Sequence, residues 1–441
     1  MFGDRPPNPL TRADLEAWQL QRLGSLLQVV AEGNRFYRPR LERGGLLEGV
    51  RSLDEFRRLP FTTKDELVAD QARHPPYGSN LTFEPQRYAR LHATSGTSGQ
   101  PLRWLDTPES WRWMLGNWAR VYQACGVGPE DRIFFPFSFG PFLGFWTAFE
   151  AAWQLGCLTL PGGGMTSKAR VRVLVENQAN VLCATPTYAL RLAQTAQEEG
   201  LSPADLPVRK IIVAGEPGGS VAAVRDRLSR AWSTSQNPVI VYDHHGMTEV
   251  GPVSYPSPQV PGILHVIGTS YLAEVVDPET DQPVAPGERG ELILTTLGRE
   301  GMPLLRYRTG DLVCWSRRSA ADLGTADPAL EGGILARVDD MVVIRGVNLY
   351  PSAVDAVVRG FAEVAEYRVD LWSERGMREA RVVVEPLSGA GSDDTLADQI
   401  ADALRTGFQL RLPVSLVGPG DLPRFDLKAK RWRVLEEPPS Q

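Results

Sequence analysis

The sequence predicts an α/β fold, with a large N-terminal domain of mixed sheets and helices followed by a small α+β C-terminal domain. Up to about Tyr255, short apolar runs alternate with long helical patterns, which is typical of βαβ units and a mostly parallel sheet. Beyond Tyr255, glycine, proline and short alternating runs indicate antiparallel strands. The 441 residues allow about two or three domains of roughly 150 residues each.

The elements of the N-terminal domain follow from hydrophobic spacing. Thr11–Asp14 has the form of a capping box, and apolar residues recur at helical spacing from Leu15 to Val30, so the first predicted element is a helix. Apolar runs predict parallel strands at Arg132–Phe135, Cys157–Leu160, Val181–Ala184, Lys210–Ala214 and Val239–Tyr242. Helical patterns between them predict helices at Ser167–Asn177, Tyr188–Glu199 and Ser220–Ser233. Alternating runs predict antiparallel strands at Leu272–Val276, Gly290–Thr295 and Asp311–Trp315.

The last hundred residues predict a separate compact unit. A loop rich in small and acidic residues, Arg318–Gly333, precedes a predicted boundary at Asp339–Asp340. We therefore assign residues 1–338 to the N-terminal domain and 339–441 to the C-terminal domain. The predicted C-terminal elements are a helix from Ser352, strands at Tyr367–Leu371 and Glu379–Val384, a helix at Thr395–Gln409 and a strand near Val414–Val417.

Composition and charge argue against several function classes. The net charge is −6, from 47 basic and 53 acidic residues, so no basic surface predicts binding to nucleic acid or to an acidic membrane. We find neither a signal peptide nor a run of 18 uncharged apolar residues in the sequence, and we expect a cytoplasmic protein. The four cysteines are widely separated, which favours buried free thiols over disulfides or a zinc site.

The first motif with chemical content is the loop Ala93–Pro101. Its alternating hydroxyl side chains and glycines let backbone N–H groups converge on an anion, and a polyphosphate is the natural ligand. The loop differs from a P-loop because no lysine follows the second glycine. Taken alone, the segment is equally typical of a flexible turn.

Four further segments carry polar residues in patterns that suit ligand binding. Tyr242–Glu249 follows an apolar run and brings two histidines, a hydroxyl and a carboxylate to the end of a predicted strand. In Tyr307–Leu312, an aspartate at a strand start can accept hydrogen bonds from vicinal hydroxyls, as on a ribose. Ala336–Pro351 and Pro423–Arg431 complete the set. Judged singly, Tyr242–Glu249 is also typical of a polar loop, and Pro423–Arg431 of a basic solvated tail.

In this order, the five segments resemble the adenylate-forming superfamily, and within it the phenylacetate–coenzyme A ligase-like family. Further matching segments are Asn34–Tyr37, Leu59–Asp65, Ala214–Pro217 and Met302–Thr309, so the resemblance runs nearly end to end. It implies an adenylate-forming N-terminal domain and a mobile C-terminal lid. It also implies an enzyme that joins a carboxylic acid to ATP, releases pyrophosphate and passes the acyl group from acyl-AMP to the thiol of coenzyme A. The implied cofactors are ATP and Mg²⁺, with coenzyme A as co-substrate.

The resemblance implies a nucleotide site built from several segments. The phosphate-binding loop comprises Thr94, Ser95, Gly96, Thr97, Ser98 and Gly99. The rest of the site comprises Gly215, Glu216 and Pro217 on the adenine side, Asp311 on the ribose hydroxyls, Arg337 beside the ribose, and Asp243, His244, His245, Gly246 and Met247. Thr248 and Glu249 are implied to orient the α-phosphate, with Glu249 holding Mg²⁺, a cation that prefers oxygen ligands.

The C-terminal residues have separate implied roles. Lys428 matches the catalytic lysine that bridges the reacting carboxylate and the α-phosphate, with Lys430 as its competitor two residues away. Asp339 matches the hinge, after which Arg345 and Gly346 shape the coenzyme A channel. Adenylation needs charge neutralisation and no general base, because an ionised carboxylate is already the nucleophile.

Four departures from the family pattern bear on activity. Gln100 stands where many relatives carry lysine, which removes a phosphate contact, and His245 stands where relatives carry a tyrosine near adenine. Phe425–Leu427 replaces the usual Ser-Glu-Gly, which stiffens the loop before the catalytic lysine. Val253–Ser257 has no cysteine where some relatives hold a metal, so we expect no zinc, although His265 remains.

The acid pocket is predicted to be aromatic. Phe134–Phe142 is rich in rings, and six of the eleven tryptophans lie between Trp104 and Trp153. An aromatic-walled cleft favours a flat aryl acid through apolar burial and ring stacking. Most of these rings are equally explained as core, and the predicted substrate contacts are Phe137, Phe139, Phe142 and His244.

Two alternative functions stay open at this point. One is an enzyme that adenylates an acid but delivers the acyl group to a carrier protein or an amine, a difference only in the acceptor. The other is a catalytically silent nucleotide-binding homologue, suggested by Gln100 and His245 and opposed by the full set of implied catalytic residues. The expected partner is a small aryl acid, and the residues leave open whether the chain is a homodimer.

Overall fold

The structure is a computed structural model that describes residues 11–94, 101–338, 340–345, 347–374, 377–387, 394–425, 429–436 and 438. Within these ranges the helices α1–α12 span Arg12–Gly33, Arg38–Arg43, Leu53–Phe56, Lys64–Arg73, Pro108–Ala124, Trp146–Gln154, Ser167–Glu176, Pro186–Glu198, Ala222–Trp232, Ala320–Leu323, Pro351–Arg359 and Asp394–Phe408. The strands β1–β21 span Arg90–Ala93, Arg103–Asp106, Arg132–Phe135, Leu158–Pro161, Val181–Ala184, Lys210–Val213, Ile240–Asp243, Gly246–Met247, Gly251–Pro252, Ser254–Pro256, Ile263–Val266, Tyr271–Val276, Arg289–Thr296, Tyr307–Trp315, Ala329–Arg337, Val342–Ile344, Val347–Leu349, Val364–Glu374, Met377–Pro386, Val414–Leu416 and Trp432–Val434.

A five-stranded parallel sheet lies in the N-terminal part, with strand order β4-β3-β5-β6-β7. The five strands predicted from apolar runs are confirmed to within one residue at each end. These strands are recognisable in the sequence as continuous apolar runs because helices cover the sheet. All four residues of β5, for example, are buried. The chain moves from β3 outward to β4 and then back to β5 on the other side, so a topological switch point lies between β3 and β5. Ligands bind beyond the carboxyl ends of strands at such points.

A six-stranded antiparallel sheet follows, in the order β10-β11-β15-β14-β13-β12. Its register places Asp311 on β14 directly opposite Arg337 on β15. The predicted loop Arg318–Gly333 is wrong in part, because α10 lies within it and β15 begins at Ala329. The strand β15 was not recognised because Gly332 and Gly333 interrupt its alternation of apolar and polar residues. Both glycines have positive φ (76° and 68°).

The C-terminal part forms a four-stranded sheet in the order β20-β19-β18-β21, with α11 and α12. Its hydrophobic cluster draws its buried members from residues between Ile344 and Leu412, as the sequence suggests for a separate unit. The predicted helices and strands of this unit are confirmed, while β21 was not predicted. The boundary between residues 338 and 339 stays a prediction, and Asp339 lies outside the described residues.

The described residues contain no helix that is long and apolar enough to cross a membrane. Three of the four cysteines (Cys125, Cys157 and Cys183) are buried free thiols, and Cys314 is partly exposed. Burial raises the pKa of the Cys157 thiol to about 11. The expectation of buried free thiols is therefore confirmed for the first three and is wrong for Cys314.

Candidate active site

The candidate site includes the carboxyl end of β7, where Asp243 lies. Asp243 ends this strand as a buried carboxylate that accepts the backbone N–H of Ser220 at 3.0 Å and of His244 at 3.1 Å. Burial raises the pKa of Asp243 above its ordinary value, and these hydrogen bonds oppose the rise. Gly218 permits this close packing, because a Cβ there would lie 2.6 Å from Oδ1 of Asp243.

His244 is a buried, neutral ring beside Trp118. Its Nδ1 lies 2.7 Å from the carbonyl oxygen of Ser254 and must donate, so Nε2 carries no proton and is an acceptor. Burial lowers the pKa of His244 to about 3, which keeps the ring neutral at ordinary pH. The ring centroids of His244 and Trp118 are 4.2 Å apart. The site thus has an uncharged acceptor in an aromatic environment.

Asp311 and Arg337 lie opposite each other on the two central strands of the antiparallel sheet, and His245 contacts Asp311. Nη1 of Arg337 donates to Oδ1 of Asp311 at 2.8 Å, and Nε2 of His245 lies 3.0 Å from Oδ2. Burial by itself would raise the pKa of Asp311, but His245 and Arg337 outweigh it and lower that pKa. An ionised carboxylate offers about four acceptor positions on its two oxygens, so Asp311 can accept further hydrogen bonds beside these two contacts. A ribose hydroxyl is a donor of the kind that such positions suit.

Arg299 holds the backbone of Thr248 and Glu249 through hydrogen bonds to their carbonyl oxygens. Nη1 of Arg299 donates to both of their carbonyl oxygens at 2.8 Å, and its Nε and Nη2 form a bidentate pair with Asp106 at 2.7 Å. The side chains of Arg299 and Asp106 are 0% exposed. Glu249 is 4% exposed, and its Oε1 lies 3.6 Å from Nζ of Lys64. A buried carboxylate supplies oxygen ligands of the kind that Mg²⁺ binds together with several waters.

Thr94 closes the base of the predicted phosphate loop. Its backbone N–H donates to the carbonyl of Leu102, and its Oγ1 accepts the N–H of Leu102, both at 3.0 Å. This pair ties the end of β1 to the start of β2 on either side of the loop. The other predicted phosphate-loop residues, Ser95, Gly96, Thr97, Ser98 and Gly99, and the variant Gln100 lie outside the described residues.

Gly215, Glu216 and Pro217 follow the carboxyl end of β6. Gly215 has φ of 90°, a conformation that favours glycine. The carboxylate of Glu216 accepts the N–H of Thr187 at 3.1 Å and the N–H of Ala429 at 2.7 Å. The predicted adenine-side segment therefore also contacts the C-terminal tail. Lys428, the predicted catalytic lysine, lies outside the described residues.

Arg345 interacts within the C-terminal part. Its guanidinium pairs with the carboxylate of Glu379 on β19 at 2.8 Å, and it has φ of 49°. Gly346, its predicted partner at the coenzyme A channel, lies outside the described residues, as does the hinge residue Asp339. The structure therefore does not bring Arg345 to the residues around Asp311.

A row of aromatic rings runs from the loop after β3 to His244. Phe139 packs on Phe137 with centroids 4.7 Å apart, and Phe137 packs on Phe145 at 5.0 Å. Phe145 in turn lies 6.1 Å from Trp118, which contacts His244. Phe137 and Phe139 are only partly buried, so their edges are available to a ligand. Phe142 is 44% exposed.

Gly246 and Met247 complete the predicted nucleotide loop. They form β8, which pairs with β9 and places Gly246 opposite Pro252. A Cβ on Gly246 would lie 2.8 Å from the carbonyl oxygen of Gly251, so glycine is required at this crossing. Met247 is partly buried against the main N-terminal core.

Two family models match the chain, one in its N-terminal part and one in its C-terminal part. Residues 50–298 match the model described as AMP-binding enzyme, and residues 346–435 match that of the AMP-binding enzyme C-terminal domain. The chain belongs to the AMP-binding enzyme family. This AMP-binding enzyme is 32% identical to the phenylacetate-coenzyme A ligase of Thermus thermophilus, over 97% of each chain. It is 28% identical to that of Pseudomonas putida, over 96% of this chain and 95% of the relative.

Solved structures of 2-hydroxyisobutyryl-CoA ligase share the fold of this AMP-binding enzyme. The postadenylation state in complex with 2-HIB-AMP has a TM-score of 0.89, with 30% identity over 98% of this chain and 91% of that one. The thioesterification state in complex with 2-HIB-AMP and CoA has a TM-score of 0.70 at the same identity and coverage. Because both structures are of one enzyme, the difference reflects its conformation. The arrangement of this chain is closer to the postadenylation state.

Several residues at the site were not assigned roles from the sequence. Arg299 and Asp106 are 193 residues apart, and a single sequence carries no signal that joins them. Two signals in the sequence could have identified Lys64 as a site residue. It lies in a segment that resembles the family, and lysines are rare in this chain. Within the described residues, no group of three or more His, Cys, Asp or Glu side chains is placed to hold a metal ion. The expectation of no zinc stays a prediction.

Proposed function

We propose that this AMP-binding enzyme is an ATP-dependent acid–thiol ligase that activates an aromatic carboxylic acid as acyl-AMP and transfers the acyl group to coenzyme A. The named relatives, phenylacetate-coenzyme A ligases and a 2-hydroxyisobutyryl-CoA ligase, support an acid–thiol ligase. The observation that supports an aromatic substrate is the row of rings from Phe139 to His244, beside the switch point of the parallel sheet. A partly buried aromatic wall binds a flat ring through apolar burial and edge-to-face contacts.

In the first step, a carboxylate oxygen of the acid attacks the α-phosphorus of ATP. A phosphorus–oxygen bond forms, the bond to the bridging oxygen breaks, and pyrophosphate leaves with the electron pair. Asp311 would accept hydrogen bonds from the ribose hydroxyls at its carboxylate, and the loop closed by Thr94 would receive the phosphates. Glu249 would hold Mg²⁺, which supplies charge neutralisation at the phosphates. Arg299 fixes the backbone of Glu249 and so aims its carboxylate.

In the second step, the sulfur of coenzyme A attacks the carbonyl carbon of acyl-AMP. A carbon–sulfur bond forms, the carbon–oxygen bond to AMP breaks, and AMP leaves with the electron pair while the thiol proton passes to solvent. The proposed contributors from the C-terminal part are Arg345 and Gly346 at the channel of coenzyme A. His244 stays neutral in this step, because with a pKa of about 3 its ring does not take up the thiol proton.

The test is the release of AMP and pyrophosphate with Mg-ATP, with and without coenzyme A. The panel comprises phenylacetate, benzoate, 2-hydroxybenzoate, 2-hydroxyisobutyrate and a medium-chain fatty acid. We expect strong turnover with one aryl acid that depends on coenzyme A. Preference for 2-hydroxyisobutyrate or the fatty acid would overturn the aromatic assignment. Acid-dependent pyrophosphate exchange without turnover on coenzyme A would move the acceptor to a carrier protein or an amine.

A variant at the ring row tests the same proposal from the protein side. Phe139→Ala removes one wall of the row and should raise KM for the aryl acid while KM for ATP stays within about twofold. Phe83→Ala, at a ring that stacks on Arg87 near the surface, is the matched control. An equal rise of both KM values in Phe139→Ala would place the row outside the acid pocket.

A further inference from the structure

Glu216 joins two distant parts of the chain through one carboxylate. Its Oε2 accepts the N–H of Thr187, in the first turn of α8, at 3.1 Å. Its Oε1 accepts the N–H of Ala429, 213 residues away in the C-terminal tail, at 2.7 Å. Both oxygens therefore hold backbone donors, and hydrogen bonds to an ionised acceptor are stronger than neutral ones.

The tail is anchored at a second point close by. Nη2 of Arg431 lies 3.4 Å from Oγ1 of Thr187, while its Nε donates to Glu366 at 2.8 Å. Arg431 directly precedes β21, which pairs with β18 in the C-terminal sheet. The C-terminal sheet, the tail and the loops after β5 and β6 are thus linked within a few residues. Glu216 holds the tail from the side of the parallel sheet, and Glu366 holds it from the C-terminal sheet.

The link belongs to one of the arrangements in which 2-hydroxyisobutyryl-CoA ligase has been solved. The chain superposes on 2-hydroxyisobutyryl-CoA ligase with a TM-score of 0.89 in its postadenylation state and 0.70 in its thioesterification state. The contact between Glu216 and Ala429 is therefore made in the arrangement that resembles the first of these states. A contact between the two domains that exists in one arrangement affects the step for which that arrangement is used.

We propose that Glu216 is a positioning residue for acid activation and not for thioester formation. It holds the backbone of Ala429, the residue directly after Lys428 in the sequence, against the edge of the nucleotide site. This inference rests on the proposed function and adds a role to Glu216 beyond the adenine side. The carboxylate acts on chain position and touches no reacting atom.

The experiment measures the two half-reactions separately in Glu216→Gln. Exchange of labelled pyrophosphate into ATP reports acid activation, with phenylacetate or the best acid of the panel. Conversion of the synthetic acyl-AMP of the same acid to acyl-CoA, without ATP, reports thioester formation. Glu199→Gln is the control, because Glu199 directly follows α8 and pairs only with Lys168 and Arg172 among the ion pairs in the described part of the chain.

We expect the exchange rate at saturating ATP to fall about tenfold in Glu216→Gln, equivalent to about 1.4 kcal/mol. The amide keeps one acceptor but turns its NH₂ group toward the other donor, so one of the two hydrogen bonds is lost. Acyl-CoA formation from acyl-AMP should stay within about twofold, and Glu199→Gln should retain both rates.

Three results would overturn the inference: equal loss of both half-reactions, no loss in either, or a rise only in KM for ATP. The last is what a residue that merely lines the adenine site would give. Ala429→Pro removes the N–H donor from the other side of the contact and should show the same selective loss, so the test survives if Glu216→Gln does not fold. An unchanged protein without activity on any acid would instead contradict the proposed function, which separates the two failures.

Discussion

At the scale of single residues, the Arg299–Asp106 pair connects the buried core to the candidate site. Arg299→Met leaves the Asp106 carboxylate buried without a partner, and it also frees the carbonyls of Thr248 and Glu249. Removing one partner of a buried ion pair typically costs about 3–5 kcal/mol. We expect a loss of that size in chemical denaturation followed by tryptophan fluorescence.

The control for this prediction is Arg112→Met. Arg112 pairs with Glu109 on the exposed face of α5, and such surface pairs contribute about 0–1 kcal/mol. If Arg299→Met shifted stability no more than Arg112→Met, the buried pair would not be a structural support of the site.

The two tail lysines give a second prediction at this scale. The family resemblance assigns the catalytic cation to Lys428, so Lys428→Ala should reduce acyl-AMP formation about 100- to 1000-fold, the effect of losing one group that stabilises transition-state charge. Lys430→Ala should leave it nearly unchanged. Pyrophosphate exchange measures both variants, with circular dichroism to check folding. Greater damage from Lys430→Ala would show that the tail was aligned two residues out of register.

At the scale of elements, the strands that were predicted most accurately are those buried on both faces of the parallel sheet. Val181–Ala184 and Arg132–Phe135 were predicted at their observed bounds because parallel strands between helical layers are continuous apolar runs. The strand Trp432–Val434 was missed because its neighbours are basic and read as a solvated tail. In the structure, Arg433 on that strand pairs with the buried Asp370, a contact that only the tertiary structure reveals.

The loop between β6 and α9 gives a prediction about an element. A Cβ on Gly218 would lie 2.6 Å from Oδ1 of Asp243 and 2.9 Å from Cγ2 of Val213. Gly218→Ala should therefore displace Asp243, lower the free energy of unfolding by roughly 1–3 kcal/mol and raise KM for ATP. Denaturation and steady-state kinetics measure the two effects.

Gly116→Ala is the matched control for this substitution. Gly116 lies inside α5, and a Cβ there meets no atom within 4 Å. Alanine should stabilise that helix by roughly 0.5–1 kcal/mol without changing KM for ATP. A neutral Gly218→Ala would mean that Asp243 yields easily and that the loop is not tightly packed.

At the scale of the whole molecule, some contacts between distant motifs could be predicted from the sequence and others could not. The resemblance led from Asp311 and Arg337 in the sequence to two residues that the structure places in contact, because each motif is local and recognisable. The contact between Glu216 and Ala429 was not predictable, since it depends on how the C-terminal part lies against the parallel sheet. Such contacts between units leave no periodic signal in either segment.

Three buried histidines contribute to the way in which the stability of the chain responds to acid. Burial lowers the pKa of His92 to about 4, of His244 to about 3 and of His265 to about 4. In the unfolded chain a histidine has a pKa of about 6.5. Between these values the unfolded state binds protons that the folded state does not, so stability falls as pH falls. The slope reaches up to about 1.4 kcal/mol per pH unit for each histidine.

His265→Phe tests this response, because the His265 side chain is fully buried and its ring stacks on Tyr255. Phenylalanine keeps the stacking and removes one titrating group. Denaturation at pH 5, 6 and 7 should therefore show a shallower loss toward acid in the variant than in the unchanged chain. Asp243 and Asp327, whose pKa is raised by burial, act in the opposite sense in both proteins and cancel in the comparison. Equal slopes in the two proteins would mean that His265 takes up a proton without unfolding.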